Sequence, residues 1–105
     1  MDNDVLVVLV TCPPDQAEAL ADKIVEGRFA ACVNLIPRIR SVYRWKGSVQ
    51  RDDETLLVMK TPQDRFAALR AFVVNNHPYE VPEVIALPVS AGHGPYLSWV
   101  MESTR

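Results

Sequence analysis

The sequence predicts an α+β fold of the ferredoxin-like kind. A four-stranded antiparallel sheet follows the order βαββαβ with its helices on one face, and a C-terminal helix and a long projecting β-hairpin are added. Three observations carry this. Apolar periodicity switches between the strand and helix periods in that order. Residues 5–10 read V-L-V-V-L-V, an unbroken apolar run that marks a central strand covered on both faces. Residues 30–61 form a hairpin of unusual length.

The first strand stops at Thr11-Cys12-Pro13-Pro14. Residues 15–26 then read as a helix, with Ala17, Leu20, Ala21 and Ile24 on one face. Gly27 stands at its stop, where a positive φ is expected. In the hairpin the odd positions Ala31, Val33, Leu35, Pro37, Ile39, Ser41, Tyr43 and Trp45 are all apolar or aromatic except the serine. The even positions Arg38, Arg40, Arg44 and Lys46 are basic. This period-two pattern predicts a strand with one covered and one wet face. Lys46-Gly47-Ser48 supplies the turn, and after polar residues 50–54 the segment T-L-L-V-M at 55–59 returns as a strand apolar on both faces. Thr61 is placed to cap a second helix, with Pro62 in its first turn and Phe66, Leu69, Phe72 and Val73 as its buried stripe. His77-Pro78 ends it. Residues 81–89, interrupted by Pro82 and Pro88, read as an edge strand. Pro95 opens a last helix carrying Tyr96, Leu97, Trp99 and Val100.

Fifteen extended residues reach about 50 Å, whereas a domain of this size has a radius of gyration near 13 Å. The hairpin therefore bends or projects, and Pro37 marks the break because proline cannot donate to a ladder. An arm carrying Val42, Tyr43 and Trp45 is an aggregation hazard if left open. Its simplest cover is another copy of the chain, so a closed homo-oligomer is expected with these three residues at the interface.

One hundred and five residues make a single domain, residues 1–105. Hydrophobic residues at 49% and charged residues at 23% describe a folded chain. A net charge of −2 offers no field to recruit nucleic acid or an anionic membrane. No apolar run reaches membrane-spanning length, and Met1-Asp2-Asn3-Asp4 lacks the basic start of a signal peptide. Two cysteines are too few for a disulfide framework, which places the protein in the cytoplasm with reduced thiols.

The richest polar stretch is N-N-H-P-Y-E-V-P-E at 75–83. A histidine beside two carboxylates can hold a metal ion or a polar small molecule. The plainer alternative is a stiff connection in which Tyr79 packs and Glu80 and Glu83 are solvated. Cys12 stands before a helix, a position that favours thiolate chemistry, although a cysteine there can equally be packing material. Arg38, Arg40, Arg44 and Lys46 are expected to pair with Asp52, Asp53 and Glu54 rather than bind a nucleic-acid strand, because the basic-glycine-aromatic run of RNA-binding sheets is absent. No nucleophile elbow, phosphate loop or zinc-protease motif is present, so no enzyme activity and no organic cofactor are expected.

A-A-C-V-N-L-I-P at 30–37, S-V-Y-R-W-K-G at 41–47, H-P-Y-E-V-P-E-V at 77–84 and Y-L-S-W-V at 96–100 resemble the CutA divalent-cation-tolerance proteins, in order and spacing from about Val5 to Val100. The resemblance implies a ferredoxin-like homotrimer joined through its long hairpins, unusual thermal robustness, and a role in tolerance of Cu(2+) or another divalent cation. It also implies a copper site built from a cysteine near the end of the first strand and two histidines before Pro-Tyr. Here His77 matches the second histidine, Asn76 stands at the first, and the cysteine position falls on Thr11 with Cys12 next to it. The metal-ligand set is accordingly His77 with Cys12 and Glu80. The family's usual glycine after Ile-Pro is Arg38. PII signalling proteins share the trimeric plan and bind nucleotides between subunits. A second reading therefore places a small ligand in an inter-subunit cleft beside Asn76, Tyr79 and Glu83. A third takes the trimer as a scaffold for a partner protein.

Overall fold

In a computed structural model, which describes residues 4–105, eight elements follow one another as β1 (Val5–Cys12), α1 (Pro14–Glu26), β2 (Cys32–Trp45), β3 (Ser48–Pro62), a 3₁₀ turn (Gln63–Arg65), α2 (Phe66–Asn76), β4 (Ile85–Pro88) and α3 (Gly94–Glu102). Met1-Asp2-Asn3, part of the start judged unlike a signal peptide, lie outside the described residues. The four strands form one antiparallel sheet in the order β2-β3-β1-β4. This is the split βαβ arrangement that the element order predicts.

Alternation along β1 sends Val8, Val10 and Cys12 to one face, where they are fully buried with Leu57 and Met59 of β3. Leu20 and Ile24 of α1 and Leu69 and Val73 of α2 cover that face. Phe29 stacks on Phe72, with ring centroids 4.5 Å apart. Of the described helices only α3 meets the opposite face, at one end, where Val5 packs with Leu97 and Val100. Beyond that end the rungs Val7–Lys60–Leu87 and Leu9–Val58–Ile85 are left without a helix over them. Ile85 and Leu87 stay about half exposed, at 49% and 51%. The apolar run of β1 is thus covered on one face, not two, within the chain.

The two long strands pair from Cys32–Lys60 out to Trp45–Ser48, and the molecule measures 44 Å along its longest axis. Residues 50–54 belong to β3 itself rather than to a connection. The turn is the two residues Lys46 and Gly47, with φ of +50° and +86°, the pairing a type I′ hairpin requires. Between Ile36–Leu56 and Ile39–Glu54 the ladder gains one residue on β2, a β-bulge at Pro37-Arg38. The bulge reverses the parity of β2. Val33 and Leu35 face the helix-covered core, whereas Ile39, Ser41, Tyr43 and Trp45 share rungs with Glu54, Asp52, Gln50 and Ser48 and fall on the uncovered side. The single covered face expected from the odd positions is therefore split between the two sides of the sheet.

Three local expectations are corrected. Gly27 has φ −80°, and the positive φ falls on Arg28 at +62°. Gly27 is instead needed for space, because a Cβ there would lie 2.6 Å from the Phe29 ring. Thr61 caps no helix, since β3 runs past it and its hydroxyl donates to the Phe29 carbonyl at 2.7 Å. The fourth strand is confined to four residues, because Pro78 and Pro82 hold the preceding segment out of the ladder.

Arg38 takes φ +60° at the bulge, a conformation that costs a residue with a Cβ on the order of 1–2 kcal/mol. Arg38→Gly is expected to stabilise the protein by about 0.5–1 kcal/mol after the extra freedom of glycine is counted. Arg38→Ala should leave stability unchanged in the same urea titration. A glycine variant weaker than the alanine one would mean that the guanidinium itself holds the bulge.

Candidate functional site

On the uncovered side of the sheet a cleft of about 660 Å³ opens between the hairpin arm and the irregular segment before β4. Ser41, Tyr43 and Trp45 of β2, Glu54 of β3 and Thr11 of β1 form its floor and arm wall, and Tyr79, Glu80 and Glu83 form the opposite wall. The bulge is what brings the aromatic residues of the arm to this side.

His77 fastens the opposite wall to the sheet. Its Nε2 lies 2.7 Å from the main-chain carbonyl of Thr11, and its Nδ1 lies 3.2 Å from the amide of Tyr79. A carbonyl only accepts and an amide only donates, so the ring is neutral with its proton on Nε2. The Tyr79 ring lies tilted against that imidazole, with centroids 4.7 Å apart, and its hydroxyl donates to Glu54 Oε2 at 2.7 Å. Burial, with this bond behind it, holds the Tyr79 phenol well above the ordinary tyrosine range. The Tyr43 hydroxyl donates to Asp52 in the same manner, and this bond raises the Tyr43 pKa. Glu54 is only 4% exposed, and its Oε1 has no hydrogen-bond partner among the described residues.

The sequence-derived site residues separate accordingly. Tyr79 and Glu83 line the cleft. Asn76 does not; its amide donates back to the Phe72 carbonyl at 2.8 Å, and it borders a small depression beside Cys12 and Pro78 on the helix side. Cys12 faces the core with no exposed surface, and Glu80 meets Lys46 at 3.8 Å on the arm. Val42, Tyr43 and Trp45 are exposed at 61%, 40% and 38%. Of the expected arginine pairs Arg40–Asp53 forms, at 2.9 Å, whereas Asp52 and Glu54 take tyrosines instead. Glu54 and Ser41 are the residues the sequence reading missed. Glu54 shares its parity with Leu56 and Val58, a signal that it turns toward the apolar side rather than to solvent.

The sequence profile of the CutA1 divalent ion tolerance proteins matches residues 6–103. The chain belongs to the CutA1 family. The mouse protein CutA is 52% identical over 104 residues, which cover 98% of this chain and 59% of that protein. The chain thus spans somewhat over half the length of its mammalian relatives. The divalent-cation tolerance protein CutA of Thermus thermophilus is 46% identical over 99 residues, 93% of this chain and 96% of that one. A solved structure described as the PII-like protein CutA from Nostoc sp. PCC 7120 aligns with a TM-score of 0.91 at 34% identity, covering 95% of this chain and 97% of that one.

The CutA family name directs attention to a metal, and the described residues of one chain do not fit one. Both nitrogens of His77 are engaged, and Cys12 is sealed from solvent. Among the described residues no three of histidine, cysteine, aspartate and glutamate converge. No helix among them is long and apolar enough to cross a membrane, and both cysteines are free.

Burial, with Glu54 and Asp15 nearby, pushes the Cys12 thiol up from 9.0 to about 11. A folded-state pKa raised in this way favours the protonated native form, so its share of stability is whole below pH 9 and lost by pH 11. The stability advantage of the native protein over Cys12→Ala should therefore shrink across that interval in chemical denaturation. A constant difference from pH 8 to 11 would place the thiol in contact with water.

Proposed function

We propose that this single CutA-like domain works in the cytoplasm as a homotrimer, without enzymatic activity, in tolerance of copper or another divalent cation. The observation that carries the assembly is the uncovered apolar face of the sheet. Val7, Leu9, Leu56 and Val58 lie beside the half-exposed Ile85 and Leu87. β1 is apolar on both sides although the helices need only one. Two further copies of the same chain cover such a face at no cost in specificity, and Val42, Tyr43 and Trp45 extend the contact along the arm. Because the described residues supply no converging ligand set, a divalent ion is bound, in this reading, where subunits meet.

Light scattering is expected to give three chains per particle. Ile85→Asp should dissociate it while preserving the helical and strand circular-dichroism signal. Cu(II) titrated by calorimetry should saturate the trimer and not the dissociated variant, and His77→Ala should shift copper affinity less than threefold. A monomeric native protein ends this reading; a tenfold loss in His77→Ala returns the histidine to the metal.

A second reading rests on the cleft. It lies between the arm and the segment before β4, is built mostly from preformed walls and has the volume of a small-molecule site. In a trimer it opens at a subunit junction, the arrangement of a PII-like small-ligand module. A third, scaffolding reading would leave Trp45 to a partner protein, and no feature of the cleft favours it.

A further inference from the structure

We propose that the cleft of this second reading, on which the inference rests, takes a small organic cation, a primary ammonium or guanidinium compound, rather than a nucleotide or another anion. Every charged side chain of its lining is a carboxylate. Glu54, Glu80 and Glu83 contribute three carboxylates, and none of the described side chains lining the cleft is basic. The nearest lysine, Lys46, meets Glu80 only at 3.8 Å with both side chains 71% exposed, a contact too solvated to neutralise the site.

Glu54 distinguishes this from a surface acidic cluster. Its side chain is almost wholly buried. One oxygen accepts from Tyr79, the other has no hydrogen-bond partner among the described residues and is not sealed from water, and the residue lines the cleft. A carboxylate taken out of water is stable only when its remaining lone pairs are met, preferably by a cation. The tyrosines cannot meet them. Tyr79 already donates to Glu54, and Tyr43 donates to Asp52. Both phenols thus turn acceptor oxygens and ring faces, not O–H groups, toward a ligand. With Trp45 they make three aromatic faces around one acidic floor, the setting in which ammonium and guanidinium groups are held. A phosphate would find three carboxylates there and no basic side chain, only the hydroxyls of Ser41 and Thr11 and the Trp45 indole N–H to donate to it.

Acceptors spread over a cleft of about 660 Å³ suit an elongated cation with several N–H groups, not a bare metal ion, which needs its ligands to converge.

The test uses the assembled protein, with agmatine as the cationic probe and ATP as the anionic one. Binding is read by calorimetry and by Trp45 fluorescence in a Trp99→Phe background. Agmatine should saturate one site per chain and change the fluorescence, and ATP should do neither. Glu54→Gln keeps an acceptor for Tyr79 but removes the charge, and should weaken agmatine at least tenfold. Glu83→Gln provides the same test if that variant does not fold. Equal agmatine binding by native protein and both charge variants overturns the proposal. ATP binding in place of agmatine, lost in Trp45→Leu, overturns the cationic class but keeps the small-ligand reading. Silence with both probes removes the proposal and that reading together, and means that a neighbouring subunit fills the cleft.

Discussion

A single additional residue in β2, between Ile36 and Ile39, governs what this molecule presents to its surroundings. Without it Tyr43 and Trp45 would continue the parity of Val33 and Leu35, and the arginines of the arm would fall on the side where the cleft now lies. With it, the inner half of β2 feeds the helix-covered core and the outer half carries its aromatics to the other side of the sheet. The cost is local: Arg38 sits in the left-handed region. Pro37 lacks an amide to lose from the ladder at that point, which is why a proline is tolerated inside so long a strand.

The same side of the sheet also explains an apparent excess of apolar residues. A chain of this size buries a modest share of its surface by itself, and its two long helices suffice for one face of a four-stranded sheet. Val7, Leu9, Leu56 and Val58 nevertheless give the second face an apolar strip between Lys60 and Glu54. An antiparallel sheet with one free face ordinarily alternates with polar residues there. Val7 and Leu9 of β1 break that alternation, and the apolar strip they form adjoins Thr11 at the floor of the cleft.

Much of this was legible in the residues. Unbroken apolar runs, helix stripes at Leu69 and Val73, the Lys46-Gly47 turn and the proline-limited edge strand all follow from local periodicity and backbone chemistry. What escaped was tertiary. Alternation predicts that successive side chains oppose one another, but it cannot see a bulge that exchanges the two sides, so the odd positions of β2 were expected on one covered face although they divide between the covered and the uncovered side. Glu54 was overlooked for another reason: within Asp52-Asp53-Glu54 it reads as one more solvated acid, although along β3 it keeps the parity of Leu56 and Val58. His77 shows the converse. Its position was evident, whereas its two bonds, to a carbonyl 66 residues earlier and to the amide two residues later, depend on how α2 returns to the end of β1.

These bonds bear on what cation tolerance can mean structurally. A histidine that ligates a metal offers one ring nitrogen with its lone pair free, and second-shell partners orient the other. His77 uses both nitrogens to hold the segment carrying Tyr79, and Tyr79 in turn reaches Glu54. The imidazole is therefore the hinge pin of one wall of the cleft, and drawing it onto an ion would release Tyr79 and uncover the buried carboxylate. Metal capture at this turn and an intact cleft are mutually exclusive arrangements of the same residues.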